Sequence, residues 1–422
     1  MMKNTGIHAV MHGPERSDDV LSSTIVVFPP RRSDPLLNKL LVELCKEYKV
    51  YYLSELKQKD AEHTNEEAST ARLPSDVLFL PASKLHTVWT EDTIAIVAHP
   101  YWVHVAGSQT CLHAAQLITL HLDDTEEDPS SLLLTCMKQL LAISQLFCSR
   151  SEMRCLDAAF CGTPALLLDA GQDDLEVRLF TQAIHEMIED IPITVHQIQW
   201  SERKAHYLSL REQNGPHETI SFLLSVYQYL QGEGEALQYA EEAFLQALAK
   251  GSDQPLISHY RFLSAIHAKL GDLKTAVNIY GITAFGEIEA RQYENILSLM
   301  AQDQEALARA ELFRLNDDYG SALSIIQGAP LQNNTRHLLF HIYRETGQIE
   351  LALAQVQSSD LLSNEDRYMF RILCGNVEAL RGERHAAIRL FLEAAAENEE
   401  ALVHIAALEV LDEKVHILLE GS

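Results

Sequence analysis

The stretch Gly271-Asp272-Leu273-Lys274-Thr275-Ala276 decides the fold of the second half of the chain, because its pattern returns twice. The same frame begins again at Gly347 and at Gly382, which are 35 residues apart. Five residues after each glycine stands an alanine: Ala276, Ala352 and Ala387. Flanking apolar positions also recur, nine residues after each glycine (Tyr280, Val356, Phe391) and eight before it (Leu263, Leu339, Cys374). Small residues where two helices cross and a glycine at their turn predict repeated helical hairpins.

Two weaker units fit the same frame. One turns at residues 317–319 with Ala322 as its small residue, and the other turns near Gly232 and carries Ala240, Phe244 and Ala247. The longer gap before the turn at 317–319 predicts an inserted helix over residues 285–300, and residues 401–419 are expected to cap the array. An irregular all-helical bundle is the alternative.

The spacing resembles the tetratricopeptide repeat, whose period is about 34 residues. This resemblance implies stacked hairpins over residues 216–422 with a concave groove that takes a peptide or helix from a protein partner. The expected partner-binding residues of that groove are Tyr260, His267, Arg336, Tyr343 and Arg371.

The first half of the chain has a different pattern, in which short apolar runs alternate with amphipathic helices. Because such strands are buried on both faces, this pattern predicts a parallel sheet of the Rossmann-like, doubly wound kind over residues 23–200. Residues 1–22 form a polar lead-in, and residues 201–215 are expected to be a linker. The predicted strands are residues 24–28, 49–53, 77–80, 94–98, 116–121, 146–148 and 165–168. The predicted helices are residues 35–44, 130–141, 152–160 and 175–188.

Composition narrows the class of partner. The 422 residues carry a formal net charge of −27, which disfavours nucleic acid and anionic membrane surfaces. The seven cysteines are scattered through apolar segments, as is typical of reduced thiols in the cytoplasm. No apolar stretch is long enough for a membrane span, and the N-terminus lacks the apolar core of a signal peptide. We therefore expect a soluble, cytoplasmic protein.

Ligands of doubly wound sheets bind beyond the carboxyl ends of strands, so the residues there are the candidates for chemistry. Arg31 and Arg32 follow the first strand and could hold an anion, or form a solvated basic turn. His99 follows the fourth strand and could act as a general base beside Trp102, or cap and pack a corner of the fold. The phosphate-binding Gly-x-Gly-x-x-Gly and Walker patterns and the Gly-x-Ser-x-Gly elbow do not occur.

Metal and cofactor patterns are also missing from the sequence. The histidines at 99, 104, 113 and 121 match no zinc spacing, and Cys148, Cys155 and Cys161 form no Cys-x-x-Cys pair. The acidic run at residues 123–128 lacks the alternation and the glycine of an EF-hand loop. We expect no metal site and no cofactor.

The strand–helix–strand pattern of residues 24–53 resembles the amino-terminal, acceptor-side domain of GT-B glycosyltransferases. The stretch from Leu141 to Glu152 is similar to their segment in which a strand with an alanine-aspartate-leucine-valine type run ends in serine and glutamate before a helix, although Gln145 replaces the aspartate. The resemblance implies ligand-binding roles for Ser149 and Glu152 and an acceptor pocket at residues 99–102. The donor domain of that family is missing here, since the repeats occupy its place.

Two hypotheses follow. The first is an interaction scaffold or adaptor that binds a protein partner through its repeats and carries a non-catalytic glycosyltransferase-like domain. The second is a glycosyltransferase or sugar-nucleotide-binding enzyme of cell-surface or protein glycosylation, with His99 as its base and Arg31 or Arg32 on phosphate. An enzyme requires an open pocket lined by Arg31, His99 and Trp102, whereas a scaffold would fill that crevice with its own side chains.

Overall fold

The computed structural model describes residues 23–30, 34–53, 73–90, 92–100, 102, 116–122, 137, 140–141, 144–168, 173–232, 234–251, 253–346, 348–356, 364–380, 383–402, 404–405 and 408. Within these residues the first half forms a parallel sheet of seven strands in the order β3-β2-β1-β4-β5-β6-β7. The strands are β1 Thr24–Phe28, β2 Lys49–Leu53, β3 Leu78–Leu80, β4 Ile94–Val97, β5 Gln116–His121, β6 Leu146–Ser149 and β7 Ala165–Leu167. The expected doubly wound α/β class is confirmed, and its topological switch point lies between β1 and β4.

Helices cover the sheet on both faces. The first helix, α1 (Pro35–Leu44), is capped at its N-terminus by Asp34, whose carboxylate accepts a hydrogen bond from the Leu36 backbone N–H at 2.8 Å. Its apolar stripe packs beside α3 (Asp173–Ile188) in one core, and α2 (Glu152–Phe160) belongs to a second core with Phe147. The predicted helix at residues 130–141 lies largely outside the described residues.

A long helix, α4 (Val195–Asn214), closes the edge of the sheet at β7. The side-chain amide of Gln199 accepts from the Leu167 N–H at 2.7 Å and donates to the Leu167 carbonyl at 2.5 Å. These two bonds replace those of a further strand, and Trp200 donates to the Ala165 carbonyl beside them. The segment 201–215, expected as a linker, therefore forms most of α4 and the cap at Gly215, because one face of this helix packs on the sheet edge.

The second half consists of helices that pack as successive antiparallel pairs. The five hairpins among the described residues are α5 (Glu218–Gln231) with α6 (Ala236–Lys250), α7 (Asp253–Lys269) with α8 (Leu273–Gly281), α10 (Glu305–Leu315) with α11 (Tyr319–Ile326), α12 (Asn333–Glu345) with α13 (Ile349–Gln355), and α14 (Asn364–Leu380) with α15 (Arg384–Ala395). The expected inserted helix is present as α9 (Glu287–Ala301), between the second and third hairpins. Of the C-terminal cap at 401–419, most lies outside the described residues.

The repeat frame of the sequence corresponds to the packing of the hairpins. All four frame alanines (Ala276, Ala322, Ala352 and Ala387) are fully buried, since each lies where two helices meet. Asp317 occupies the turn position that Gly271 occupies in the preceding repeat, and both have a positive φ, 60° and 89°. Aspartate tolerates this left-handed conformation better than most residues, so the third hairpin keeps the frame without its glycine. The array is compatible with helical repeats.

The two halves share a core. Leu223, Val226 and Tyr227 of α5 pack in the same cluster as Phe147 and Leu156 of the sheet half. A second contact joins the α2–β7 turn to the third hairpin, where an added Cβ on Gly320 would lie 3.3 Å from the Gly162 Cα. Among the described helices, none has the length and the apolar composition that crossing a bilayer requires.

Candidate functional site

The switch point between β1 and β4 is occupied by the chain's own tryptophan. Trp102 is fully buried, and its indole N–H donates to the Pro29 carbonyl at 2.6 Å, directly beyond β1. Its ring meets Phe28 edge-on at 5.8 Å between centroids, and its backbone N–H bonds to the His99 carbonyl. His99 is 8% exposed. His99 and Trp102 are thus brought together in one buried corner of the described structure, and Arg31 and Arg32 lie outside the described residues.

Ser149 and Glu152, at the end of β6, are engaged by other protein groups. Ser149 is fully buried, and its hydroxyl accepts from the Ser151 backbone N–H at 3.0 Å. The Glu152 carboxylate accepts hydrogen bonds from Tyr207 of α4, at 2.6 Å, and from Tyr227 of α5. Burial first, and then the hydrogen bond to this carboxylate, raise the pKa of both tyrosines above the ordinary value. Glu152 therefore joins the sheet half to α4 and to α5, the first helix of the second half.

The five residues expected to bind a partner are spread over the array. Tyr260 packs on Phe244 with ring centroids 4.9 Å apart, and His267 lies 3.8 Å from the Asp272 carboxylate. Arg371 pairs with Glu397. Arg336 and Tyr343 are on α12, Arg336 exposed and Tyr343 packed between two cores. The structure does not gather them into one site.

A cavity of about 310 Å³ lies between the inserted helix and the third and fourth hairpins. We call it the groove cavity. Residues of α9, α10 and α12 line it: α9 packs on α10, and α10 packs beside α12, the first helix of the next hairpin. Its apolar lining is Leu299, Leu307 and Leu338, and its polar lining is Arg291, Gln292, Asn295, Glu311, Arg314, Asn334, His337, His341, Arg344 and Glu345.

A buried ion pair forms one wall of the groove cavity. Arg314 donates two bonds of 2.7 Å to the Glu311 carboxylate, and both side chains are 6% exposed. A further bond of 2.5 Å reaches Glu345, which also pairs with Arg344 at 3.2 Å. Burial acts to lower the pKa of Arg314, but the bonds and charges of Glu311 and Glu345 raise it above the ordinary value. The guanidinium is therefore a fixed cation whose donors are largely used within the protein.

Sequence reasoning did not identify the residues of the groove cavity. Two signals were present: Glu311 and Arg314 are three residues apart on α10, and His337 and His341 are four residues apart on α12. Both spacings place the two side chains on one helix face. The sequence did not show where α9 packs, and the position of α9 is what encloses these faces of α10 and α12 in a cavity.

No protein-family model, curated protein or solved structure matches this chain.

Proposed function

We propose that this chain is an interaction scaffold that holds a segment of a partner protein in the groove cavity. The observation that carries the proposal is the cavity itself, which is lined by residues of α9, α10 and α12. Its volume is at the lower end of the range for ligand pockets, roughly 300–1,000 Å³, and suits one or two anchoring side chains better than a whole cofactor.

The lining supports a peptide as the occupant. Three leucines offer an apolar floor for an anchor side chain. Around them, the amides of Gln292, Asn295 and Asn334 can exchange hydrogen bonds with a peptide backbone, and Asn295 and Asn334 are exposed. An apolar centre with a polar rim is the usual anatomy of a protein interface.

The alternative, a sugar-nucleotide enzyme or glycosyltransferase, has less support. Its ligand would need the crevice at the β1–β4 switch point, where Trp102 is buried against Phe28 and bonded to the Pro29 carbonyl. His99 in the adjacent corner is also buried. A sugar nucleotide would have to displace this packing before it could reach a general base.

Photo-crosslinking tests the scaffold proposal. p-Benzoylphenylalanine placed at Asn295 or Asn334 should crosslink to one segment of one protein in the native cell extract, whereas the same group at exposed Glu241 of α6 should not. A synthetic peptide of that segment should bind the purified full chain.

The matched variants are Asn295→Trp, which fills the cavity rim, and Leu297→Trp, two residues along the same helix and outside the lining. We expect at least tenfold weaker peptide binding for the first and no change for the second. Equal binding by both variants would remove the groove cavity as the docking site. Saturable binding of a sugar nucleotide that His99→Ala or Trp102→Ala abolishes would favour the enzyme instead.

A further inference from the structure

A pair of histidines on the wall of the groove cavity has the spacing of metal ligands. His337 and His341 are one helical turn apart on α12, and their Nε2 atoms lie 3.3 Å from each other. The two rings meet edge to face with centroids 4.4 Å apart. Both side chains line the groove cavity, and His337 is exposed.

We propose that His337 and His341 bind a divalent transition-metal ion such as Zn²⁺ or Ni²⁺ through their Nε2 atoms. Zinc–imidazole bonds of 2.0–2.1 Å at a tetrahedral angle hold two ligand nitrogens about 3.3 Å apart, which is the separation found here. Without metal, the same contact is an N–H···N interaction in which one Nε2 carries the proton. Metal binding through both Nε2 atoms requires both rings to carry their proton on Nδ1, which in His341 is a buried atom.

The surrounding charges permit a cation at this place. The cavity arginines have acidic partners: Arg314 pairs with Glu311 and Glu345, Arg344 with Glu345, and Arg291 lies 3.6 Å from Glu287. The net charge of −27 also raises the concentration of cations near the surface. Imidazole nitrogen is a ligand suited to zinc, nickel and copper, whereas calcium and magnesium prefer oxygen.

The site has an open side. Within the described part of the chain, no group of three or more histidine, cysteine, aspartate or glutamate residues is arranged to hold a metal. A four-coordinate ion on two histidines therefore keeps two positions for water, and we expect a micromolar rather than a nanomolar Kd. If the proposed function holds, a side chain of the docked partner can take one of these positions.

Calorimetric titration of the full chain with ZnCl₂ and NiCl₂, in a buffer that does not chelate, tests the site. Because the chain has 19 histidines, the number of bound ions does not identify the site, and variants of single histidines are needed. We expect His337→Asn and His341→Asn each to weaken the tightest binding event at least tenfold, while His385→Asn, at an exposed position of α15, leaves it unchanged. Cu²⁺ bound to the parent chain should show hyperfine coupling to two imidazole nitrogens.

Unchanged affinity in either variant of the pair, or no metal binding below millimolar concentration, would overturn the proposal. Circular dichroism of each variant checks that the helices are intact. Partner docking is measured separately, with the crosslinked peptide in the presence of a chelator. If the peptide binds in the presence of the chelator but the titration shows no metal binding, only the metal site is rejected. If the metal binds but the peptide does not, only the scaffold function is rejected.

Discussion

Replacement of Glu152 by alanine should weaken the connection between the sheet and the helical array. The carboxylate is half-buried and accepts one hydrogen bond from each of Tyr207 and Tyr227. A hydrogen bond to a charged group contributes about 1.5–3 kcal/mol. Taking the lower figure for each bond, because the carboxylate retains some contact with solvent, we expect Glu152→Ala to lower the free energy of unfolding by about 3 kcal/mol.

Urea-induced unfolding, followed by tryptophan fluorescence and circular dichroism, measures this loss. Trp200 packs edge-on against Tyr227 with centroids 5.4 Å apart, so its emission reports on the same junction. Glu241→Ala, at an exposed position of α6, is the control and should change stability by less than about 0.5 kcal/mol. A double-mutant cycle of Glu152→Ala with Tyr227→Phe should give a coupling of at least about 1 kcal/mol.

Alkaline pH gives an independent check on the same carboxylate. The pKa values of Tyr207 and Tyr227 are raised in the fold, by burial and then by the bond to Glu152. An unfolded tyrosine ionises near pH 10. The stability that the two protonated tyrosines contribute is therefore fully present below about pH 10 and is lost as the pH rises above it. Phenolate absorbance of Glu152→Ala should therefore begin to rise at lower pH than in the parent. The role given to Glu152 would be refuted if the phenolate titration curves of Glu152→Ala and the parent coincide and the variant loses less than about 1 kcal/mol of unfolding free energy.

Three further changes test the packing. Trp102→Ala should cost about 3–5 kcal/mol of stability in chemical denaturation, because it empties the switch point, and a loss near zero would mean that the ring is not packed as described. Ala276→Leu should cost about 1–3 kcal/mol or more through overpacking of the second hairpin, whereas Ala306→Leu at an exposed position of α10 should cost almost nothing. Burial raises the pKa of the Cys155 thiol to about 12, so iodoacetamide at pH 8 should modify it in the unfolded chain and spare it in the native one, as peptide mass spectrometry would record.

The sheet was predictable because its signal is local. Each strand is a short apolar run with a helix or a loop on either side, and the observed strands agree with the predicted ones to within one residue at each end. The hairpins were predictable for a related reason, since the frame of glycine and alanine repeats along the chain. Even the third unit was found, although Asp317 replaces its glycine.

The sites were not predictable to the same degree, because they depend on contacts between distant residues. A tryptophan after a strand can line a pocket or fill one, and the choice for Trp102 rests on a carbonyl 73 residues earlier in the chain. The sequence likewise indicated a helix near residues 285–300 but not the face on which it packs. The groove cavity arises because α9 packs on α10 and its residues line the same space as those of α12.

The position of α4 explains why the two halves of this chain belong together. A doubly wound sheet can continue at an open edge, but here Gln199 satisfies the backbone of β7 and Trp200 packs beside it. The other side of α4 meets α5, whose Tyr227 shares both the Glu152 carboxylate and a core with the sheet. The first hairpin is thus built on the sheet edge. The occupant proposed for the groove cavity would therefore bind an array whose first hairpin is packed on a seven-stranded sheet, and such preorganisation reduces the entropy cost of binding.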